Sequence, residues 1–375
     1  MVTSAVVGAD GLDAIITALR AEGRTVLGPV VTDGVIDHRE VESVADLPRG
    51  WTDRQEAGVY RLEPTGTAQL FAFAAPMSSW KRHVHPERTL LLSAVREGGR
   101  VKVLEPATEP PALAFFGVRS CDLAGLGRLD RVLGDPPAAD PAYQAVRRDA
   151  FVVAAACAHP AATCFCASME TGPTPRSGFD LAVAEIGDDD APSYLVDAGS
   201  ERGEGLLRQV GGRAVTDADM AAASSANDRA VAAMGRTLRA EDPPRAAVHL
   251  NHPGWADVAE RCLSCGNCTM SCPTCFCSAT EDSTDLSGER TERHRVWDSC
   301  FTLDFSRLHG GPVRADTASC YRQWLLHKLV TWHDQFGSSG CVGCGRCITW
   351  CPVGIDLTAE VAAIAADPGD GRGNQ

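Results

Sequence analysis

Residues 262–273 read CLSCGNCTMSCP, and residues 341–352 repeat the same arrangement as CVGCGRCITWCP. In each stretch four cysteines follow the spacing C-x2-C-x2-C-x3-C, and a proline comes directly after the fourth. This spacing is typical of two-cluster ferredoxins, in which the fourth cysteine of each run binds the cluster held by the other run. The two stretches therefore predict a ferredoxin-type domain with two 4Fe-4S clusters.

In this arrangement each cluster is bound by three cysteines of one motif and by the fourth cysteine of the other motif. We expect the first cluster to be bound by Cys262, Cys265, Cys268 and Cys351, and the second by Cys341, Cys344, Cys347 and Cys272. A pair of zinc sites is the alternative, but structural zinc sites usually place two cysteine pairs on either side of a longer loop. Eight cysteines in two compact runs, each followed by proline, favour iron-sulfur clusters.

The segment between the motifs, residues 273–340, is much longer than the connector of a small ferredoxin. It includes SCYRQWLLHKLVTWHDQF (319–336), in which Tyr321, Leu325, Leu329 and Trp332 recur at helical spacing. We therefore predict a mainly α-helical ferredoxin-like domain over residues 248–365 with a long insertion between the cluster motifs. Residues 366–375 have the composition of a disordered tail.

The N-terminal half contains two apolar runs, LAFFGV (113–118) and FVVAAA (151–156), separated by a segment that suits a helix. Such a pattern is typical of α/β structure. We predict an α/β or α+β domain over residues 1–240 and a linker at residues 241–247.

Four cysteines of this half could form a third metal site. Cys121 and Cys157 follow the two apolar runs, and the carboxyl ends of parallel strands are where α/β sheets bind ligands. Cys164 and Cys166 lie in the string TCFC at 163–166. A third iron-sulfur cluster is favoured over zinc at these four residues, and the packing of unligated thiols is left open as an alternative.

The string TCFC recurs at residues 274–277, directly after the first cluster motif. Cys275 and Cys277 could line an interface with the N-terminal site, or they could pack as small polarizable side chains. Packing is the preferred interpretation. Cys300 and Cys320 are interpreted as buried single thiols, and none of these four cysteines is assigned a ligand role.

The composition excludes several classes of protein. The formal net charge of −14 would repel nucleic acid, and no stripe of Lys and Arg compensates for it. No apolar run approaches the roughly 18 to 20 residues that a membrane-spanning helix needs. Reducing compartments discourage disulfides, so metal ligation is the simplest explanation for 16 cysteines in a chain without a signal peptide. We predict a cytoplasmic protein.

Several strings outside the cluster motifs carry a family resemblance. They are PMSSWKRHVHP (76–86), FFGVRSCDLAGLGRLD (115–130), VWDSCFTLDFSRLHGG (296–311) and YRQWLLHKLVTWHDQFG (321–337). Together with the two motifs and their flanks, CLSCGNCTMSCPTCFC and CVGCGRCITWCPVGIDLT, they resemble the β subunit of soluble NiFe hydrogenases of the sulfhydrogenase type. That family is similar to the corresponding subunit of anaerobic sulfite reductases.

The resemblance implies an electron-transfer subunit that relays electrons from an NAD(P)H-linked flavoprotein subunit to the small and large subunits of a NiFe hydrogenase, or in the opposite direction. The chain has no Gly-rich dinucleotide fingerprint, so the nicotinamide and the flavin are expected on a partner, and no active site of its own is predicted. Two alternatives stay open. One is a relay to a sulfite or polysulfide reductase, and the other is a zinc-stabilised scaffold without redox activity.

Overall fold

The computed structural model describes residues 4–104, 110–137 and 139–366. Its strands are β1 (Ser4–Val7), β2 (Thr25–Thr32), β3 (Val35–Glu40), β4 (Trp51–Glu56), β5 (Val59–Pro64), β6 (Arg88–Glu97), β7 (Arg100–Leu104), β8 (Leu113–Arg119), β9 (Phe151–Ala155), β10 (Leu181–Asp188), β11 (Ala191–Ala198), β12 (Ser278–Thr284), β13 (Arg290–Trp297), β14 (Arg307–Leu308) and β15 (Gly311–Pro312).

Helices connect these strands and form most of the C-terminal third. The α-helices are α1 (Ala9–Ala21), α2 (Lys81–Val84), α3 (Ser120–Leu129), α4 (Pro141–Asp149), α5 (Glu201–Val210), α6 (Asp217–Ala233), α7 (Asp242–Ala247), α8 (Gly254–Arg261), α9 (Asn267–Met270), α10 (Thr317–Leu326), α11 (Trp332–Phe336), α12 (Arg346–Thr349) and α13 (Leu357–Ala366). A 3₁₀ turn covers Val44–Asp46, and π-helical turns cover Asp130–Gly134 and His327–Thr331.

A seven-stranded sheet in the order β1-β11-β10-β9-β8-β2-β3 organises the N-terminal half. Its central strands β8 and β9 are parallel, with Phe115 opposite Val152, and both are buried along their whole length. Helices α1 and α5 cover one face of the sheet, and α3 and α4 cover the other. A strand that is covered on both faces has apolar side chains at consecutive positions, so β8 and β9 can be predicted from the sequence. The prediction of an α/β N-terminal part is confirmed.

A second sheet joins the two halves of the chain. Its order is β12-β13-β6-β7, and the antiparallel pair β13–β6 links residues of the inter-motif segment to the N-terminal half. The prediction that the C-terminal domain is mainly α-helical is not confirmed, because β12 and β13 occupy part of the insertion. Both strands are rich in charged and hydroxyl side chains, so they lack the apolar run that marks a buried strand.

The predicted linker is a helix. Residues 242–247 form α7, whose two prolines lie in the first turn, and Ala246 packs in the same core as Val361 and Ile364 of α13. Proline is tolerated in the first helical turn because the backbone N–H it lacks would have no partner there. The predicted tail, 366–375, lies outside the described residues except for Ala366, which ends α13.

The helical segment of the insertion packs through the predicted face. Tyr321, Leu325, Leu329 and Trp332 are all buried, along the continuous run of α10, a π-helical turn and α11. Their core also contains Trp255 of α8 and Trp324. Within the described ranges, no helix is both long enough and apolar enough to cross a bilayer.

Candidate metal centre

The two cysteine motifs fold into the same backbone shape. Ser264 and Gly343, each two residues after the first cysteine, have φ angles of 50° and 65°, and Gly266 and Gly345 have φ angles of 75° and 77°. Each turn then enters a single-turn helix, α9 or α12. Glycine adopts left-handed φ at no steric cost. Ser264 is therefore the one position of the four at which a side chain makes this turn costly.

Backbone amides donate hydrogen bonds to the first and last sulfur of each motif. The donor–sulfur pairs are Ser264 N to Cys262 Sγ at 3.4 Å, Gly343 N to Cys341 Sγ at 3.4 Å, Thr274 N to Cys272 Sγ at 3.4 Å and Ile355 N to Cys351 Sγ at 3.3 Å. Amide donors stabilise negative charge on sulfur, and such contacts tune the clusters that thiolates hold. The first and the fourth cysteine of both motifs thus have the environment of a thiolate ligand.

The first thiol group combines three cysteines of the first motif with the fourth cysteine of the second motif. Cys262, Cys265, Cys268 and Cys351 line one mainly apolar pocket together with Cys347. Burial raises the pKa of Cys268, and the sulfurs of Cys262, Cys265 and Cys351 raise it further. Thiols that repel one another's charge in a dry pocket need a positive centre between them to ionise.

The second thiol group, Cys341, Cys344, Cys347 and Cys272, is the reciprocal combination. Burial raises the pKa of Cys341 to about 12, and Cys344 and Cys272 are among the sulfurs that act on it. Burial raises the pKa of Cys347 as well. The sulfurs that raise it further are those of Cys341, Cys344 and Cys272, followed by that of Cys268 in the first group. The eight motif thiols therefore lie in two adjoining groups, and their assignment to two clusters stays a prediction.

Lys328 is a residue of this site that the sequence did not reveal. Its Nζ lies 3.1 Å from Cys272 Sγ and 3.2 Å from Thr274 Oγ1, and its side chain is buried. The pKa of Cys272 is lowered by a hydrogen bond from Cys275 and by the positive charge of Lys328. Together they outweigh burial, which acts in the opposite direction. Lys328 follows the apolar face of α10 into a π-helical turn. Nothing in the helical pattern distinguishes it from a solvated lysine.

Arg346 is the second residue that sequence reasoning missed. It lies between Cys344 and Cys347, is fully buried, and donates to the carboxylate of Asp122 at 2.9 and 2.8 Å. Its Nε also donates to the carbonyl oxygen of Pro76 at 2.6 Å. Arg346 stands between the cysteines, at a position where the motif does not specify the residue, so the cysteine spacing does not predict its role.

The four N-terminal thiols gather on the second motif. Phe165 N donates to Gly343 O at 2.9 Å, which docks the first TCFC string against the motif turn, and Cys164 Sγ lies 3.8 Å from Cys344 O. Cys121 and Cys166 share a small buried cluster with Val342. Burial raises the pKa of Cys164, and the sulfurs of Cys157 and Cys166 raise it further. Cys121, Cys164 and Cys166 thus lie near Cys344, and Cys157 lies near Cys164 and Cys166.

The thiol groups are not arranged around one ion. In the part of the chain that the structure describes, no three or more His, Cys, Asp or Glu side chains are placed to hold a single metal ion. A structural zinc site needs four ligands about 2.0–2.3 Å from one centre. The thiols described above do not form that compact tetrahedron.

Comparison with known proteins identifies the region and the family. The profile of a family described as a 4Fe-4S dicluster domain matches residues 261–355, which contain both motifs. The chain is also 34% identical over 250 residues to the β subunit of sulfhydrogenase 2 of Pyrococcus furiosus, an alignment that covers 64% of this chain and 71% of the relative. The chain is an iron-sulfur protein and belongs to the family of sulfhydrogenase β subunits.

Proposed function

We propose that this chain is the electron-relay subunit of a hydrogenase-type complex and holds two 4Fe-4S clusters. The observation that carries the proposal is the interlocking of the two thiol groups, each of which takes three cysteines from one motif and one from the other. Cys347 of the second group also lines the pocket of the first. Two clusters held in this way would lie side by side, as a relay requires.

The proposed ligands are the two thiol groups themselves. Cys262, Cys265, Cys268 and Cys351 would hold one cluster, and Cys341, Cys344, Cys347 and Cys272 would hold the other. The amide donors to the sulfurs and the apolar pocket fit thiolate-bound clusters. The lack of a single-ion arrangement among the described residues weighs against the zinc-stabilised scaffold.

The clusters supply one-electron transfer, and the chain sets where the clusters lie and at what potential they work. Net charge, hydrogen bonds to sulfur and burial control that potential. Lys328 adds a buried positive charge at Cys272, and the amides of Thr274 and Ile355 add donors at the fourth cysteine of each motif. These contacts favour the reduced cluster, because reduction adds negative charge to it.

The partners are proposed from the family. The relative is named a sulfhydrogenase subunit, and we propose a flavoprotein subunit that exchanges electrons with NAD(P)H on one side and the small and large NiFe subunits on the other, in the cytoplasm. The chain lacks a Gly-rich dinucleotide fingerprint, which supports placing the nicotinamide and flavin on a partner.

The N-terminal thiols remain a proposed third site. Cys121, Cys164 and Cys166 adjoin Cys344, and Cys157 lies close enough to Cys164 and Cys166 to influence their pKa values. A cluster held there would extend the relay into the N-terminal α/β domain, which we propose spans residues 1–240, with the cluster domain at 248–365. Unligated thiols are the competing explanation.

Iron and acid-labile sulfide analysis of the anaerobically purified chain tests this function. Two clusters give about eight irons per chain, and a third cluster gives about twelve, since each cubane holds four. We expect a brown protein whose visible absorbance bleaches with dithionite. Cys344→Ser should reduce the iron content, whereas Cys320→Ser, at a buried thiol outside both groups, should not. A colourless chain without iron or sulfide would refute the proposal.

A further inference from the structure

A polar cavity lies between the N-terminal α/β part and the segment that leads into the second motif. Its volume is about 700 Å³. Residues of α3 and of the loop at 168–178 line it on the N-terminal side, and residues between 329 and 339 line it on the C-terminal side. Among the described residues, no cysteine lines this cavity. It is therefore separate from the thiol groups, and we call it the arginine-lined cavity.

The arginine-lined cavity has an excess of positive charge. Four arginines and two carboxylates line it, so the formal charge of these side chains is +2. The whole chain has the opposite balance, with 49 Asp and Glu against 35 Lys and Arg. The excess is therefore a local property of the cavity. Its charged residues are Arg128, Arg131, Arg147, Arg176, Asp130 and Glu170.

Only one of the four arginines is paired with a carboxylate of the cavity. Arg147 and Asp130 form an ion pair, with 3.1 Å between Nε and Oδ1. Among the described residues, no carboxylate lies within ion-pair distance of Arg128, Arg131 or Arg176. These three guanidinium groups can therefore receive an anion from solution.

Contacts with the backbone account for only part of what these arginines can bind. Arg128 Nε donates to Ser339 O at 3.0 Å, and Arg131 Nη1 donates to Phe336 O at 2.7 Å. Both bonds hold the loop before the second motif, and neither uses the Nη2 donors. Arg176 makes no hydrogen bond or ion pair with another described residue, so bracing does not explain its presence. A planar guanidinium has several N–H donors in a fork that matches phosphate and carboxylate oxygens.

Apolar side chains line another part of the cavity. They include Met169, Leu238 and Leu329, and the two leucines are buried members of the core that packs around α10. A volume of about 700 Å³ is much more than an inorganic anion occupies, and it lies within the range of roughly 300–1,000 Å³ that is typical of small-molecule sites. The cavity therefore suits a ligand with an anionic end and an apolar, flat body.

We propose that the arginine-lined cavity binds a nucleoside phosphate. Its phosphate groups would contact Arg128, Arg131 and Arg176, and its base would lie against Met169 and Leu238. This site lies outside both thiol groups, so its binding does not depend on the iron content of the chain.

Isothermal titration calorimetry of the anaerobically purified full chain with ADP is the first test. Arg176→Met removes an exposed side chain without a partner, so this variant should fold. We expect it to bind ADP about 10- to 100-fold more weakly than the wild type, because it loses charge-assisted hydrogen bonds to phosphate. Arg61→Met is the matched control, since Arg61 is exposed and does not line the cavity, and its affinity should be unchanged. The absence of ADP binding to the wild type, or equal affinity in Arg176→Met, overturns the inference.

The second test separates the two ends of the ligand. Inorganic phosphate and adenosine each carry one half of the recognised chemistry, and we expect each to bind at least about tenfold more weakly than ADP. Inorganic phosphate that binds as tightly as ADP would overturn the assignment to a nucleoside phosphate, because the apolar wall would then contribute nothing. Adenosine that binds as tightly as ADP would overturn the role of the arginines.

The third test locates the site in the wild-type chain and needs no variant. Hydrogen exchange measured by peptide mass spectrometry should slow at residues 168–178 and 336–339 when ADP is added. Helix α5, on the other face of the sheet from α3, is the internal control and should exchange at an unchanged rate. Protection by ADP that is confined to other segments would contradict the inference. A chain without iron would overturn the proposed function, whereas ADP binding would persist.

Discussion

Lys328 shows how one side chain can set the properties of a redox site. Its ammonium contacts Cys272 Sγ at 3.1 Å and is shielded from water. Replacing it with methionine removes a positive charge and a hydrogen bond, both of which favour the reduced cluster. We expect Lys328→Met to lower the midpoint potential of one cluster by about 60–120 mV, equivalent to one or two tenfold changes in a one-electron equilibrium.

An EPR-monitored potentiometric titration measures this shift. Lys328→Arg keeps the charge and is the matched control, so its potential should stay much closer to that of the wild type. Equal potentials in the wild-type and Lys328→Met proteins, at unchanged iron content, would show that the contact with Cys272 has no electronic role.

His85 makes stability depend on pH. Burial, followed by the charges of Arg295 and Lys81, lowers the pKa of His85 to about 4. Neither ring nitrogen has a hydrogen-bond partner in the structure, and the ring stacks on Trp297 with centroids 6.2 Å apart. Between pH 6.5 and pH 4 the unfolded chain binds a proton here that the folded chain does not bind. The free energy of unfolding therefore falls as the pH falls through this range.

We expect His85→Phe, which keeps an aromatic ring against Trp297, to reduce that fall. The contribution of this residue is at most about 3.5 kcal/mol, for a pKa lowered from 6.5 to about 4 at about 1.4 kcal/mol per pKa unit. Urea unfolding at several pH values between 7 and 5 measures it. An identical slope in His85→Phe and the wild type would contradict the prediction.

The second motif turn and the first TCFC string are packed closely against each other. A Cβ built on Gly343 would lie 2.7 Å from the backbone N and Cα of Cys166, and φ at Gly343 is 65°. Gly343→Ala should destabilise the folded chain by about 2–5 kcal/mol, through left-handed strain and a backbone clash together. Anaerobic urea unfolding of the holo protein measures this loss.

Gly337 is a matched control for the conformational part of that loss. Its φ is 66°, and no atom lies within 4 Å of the Cβ built there. Gly337→Ala should therefore cost only about 1–2 kcal/mol, which is the strain of left-handed backbone alone. Equal losses in the two variants would mean that the docking of TCFC on the motif adds no stability.

The sequence predicts best those elements whose chemistry is local. The apolar runs at β8 and β9 identify buried parallel strands, and the cysteine spacing identifies the motif turns. The pair β12–β13 was missed because polar strands gain their stability from a distant partner, in this case β6. Helix α7 was missed because Pro243 and Pro244 resemble a break, although both fit the first turn.

The candidate site also contains some residues that a local sequence pattern predicts and others that only the fold brings together. The spacing of the eight motif cysteines predicts their grouping, whereas Lys328 and Arg346 take their places in the site only through long-range packing. No local pattern encodes the contact between Lys328 and Cys272. The repeated TCFC was the one available signal, and it marked both places where further thiols approach the motifs.

The two halves of the chain are joined by non-covalent contacts as well as by the chain itself. Strand β13 pairs with β6, and Phe165 N bonds to Gly343 O across the same boundary. The most buried connection is the ion pair between Asp122 of α3 and Arg346 of α12, whose side chains are 1% and 0% exposed. This pair ties the second motif to the carboxyl end of the central sheet.

Breaking one side of this pair should be costly, because the remaining charge would stay buried without its partner. We expect Asp122→Asn and Arg346→Met each to lower the free energy of unfolding by about 3–5 kcal/mol. The double variant Asp122→Asn/Arg346→Met leaves no uncompensated charge, so its loss should be clearly smaller than the sum of the single losses. The exposed pair Arg293–Asp282 is the control, and Asp282→Asn should cost no more than about 1 kcal/mol. Additive losses at Asp122 and Arg346 would mean that the two side chains stabilise the halves separately. In that case Arg346 would act through its bond to Pro76 O at 2.6 Å and not through the carboxylate.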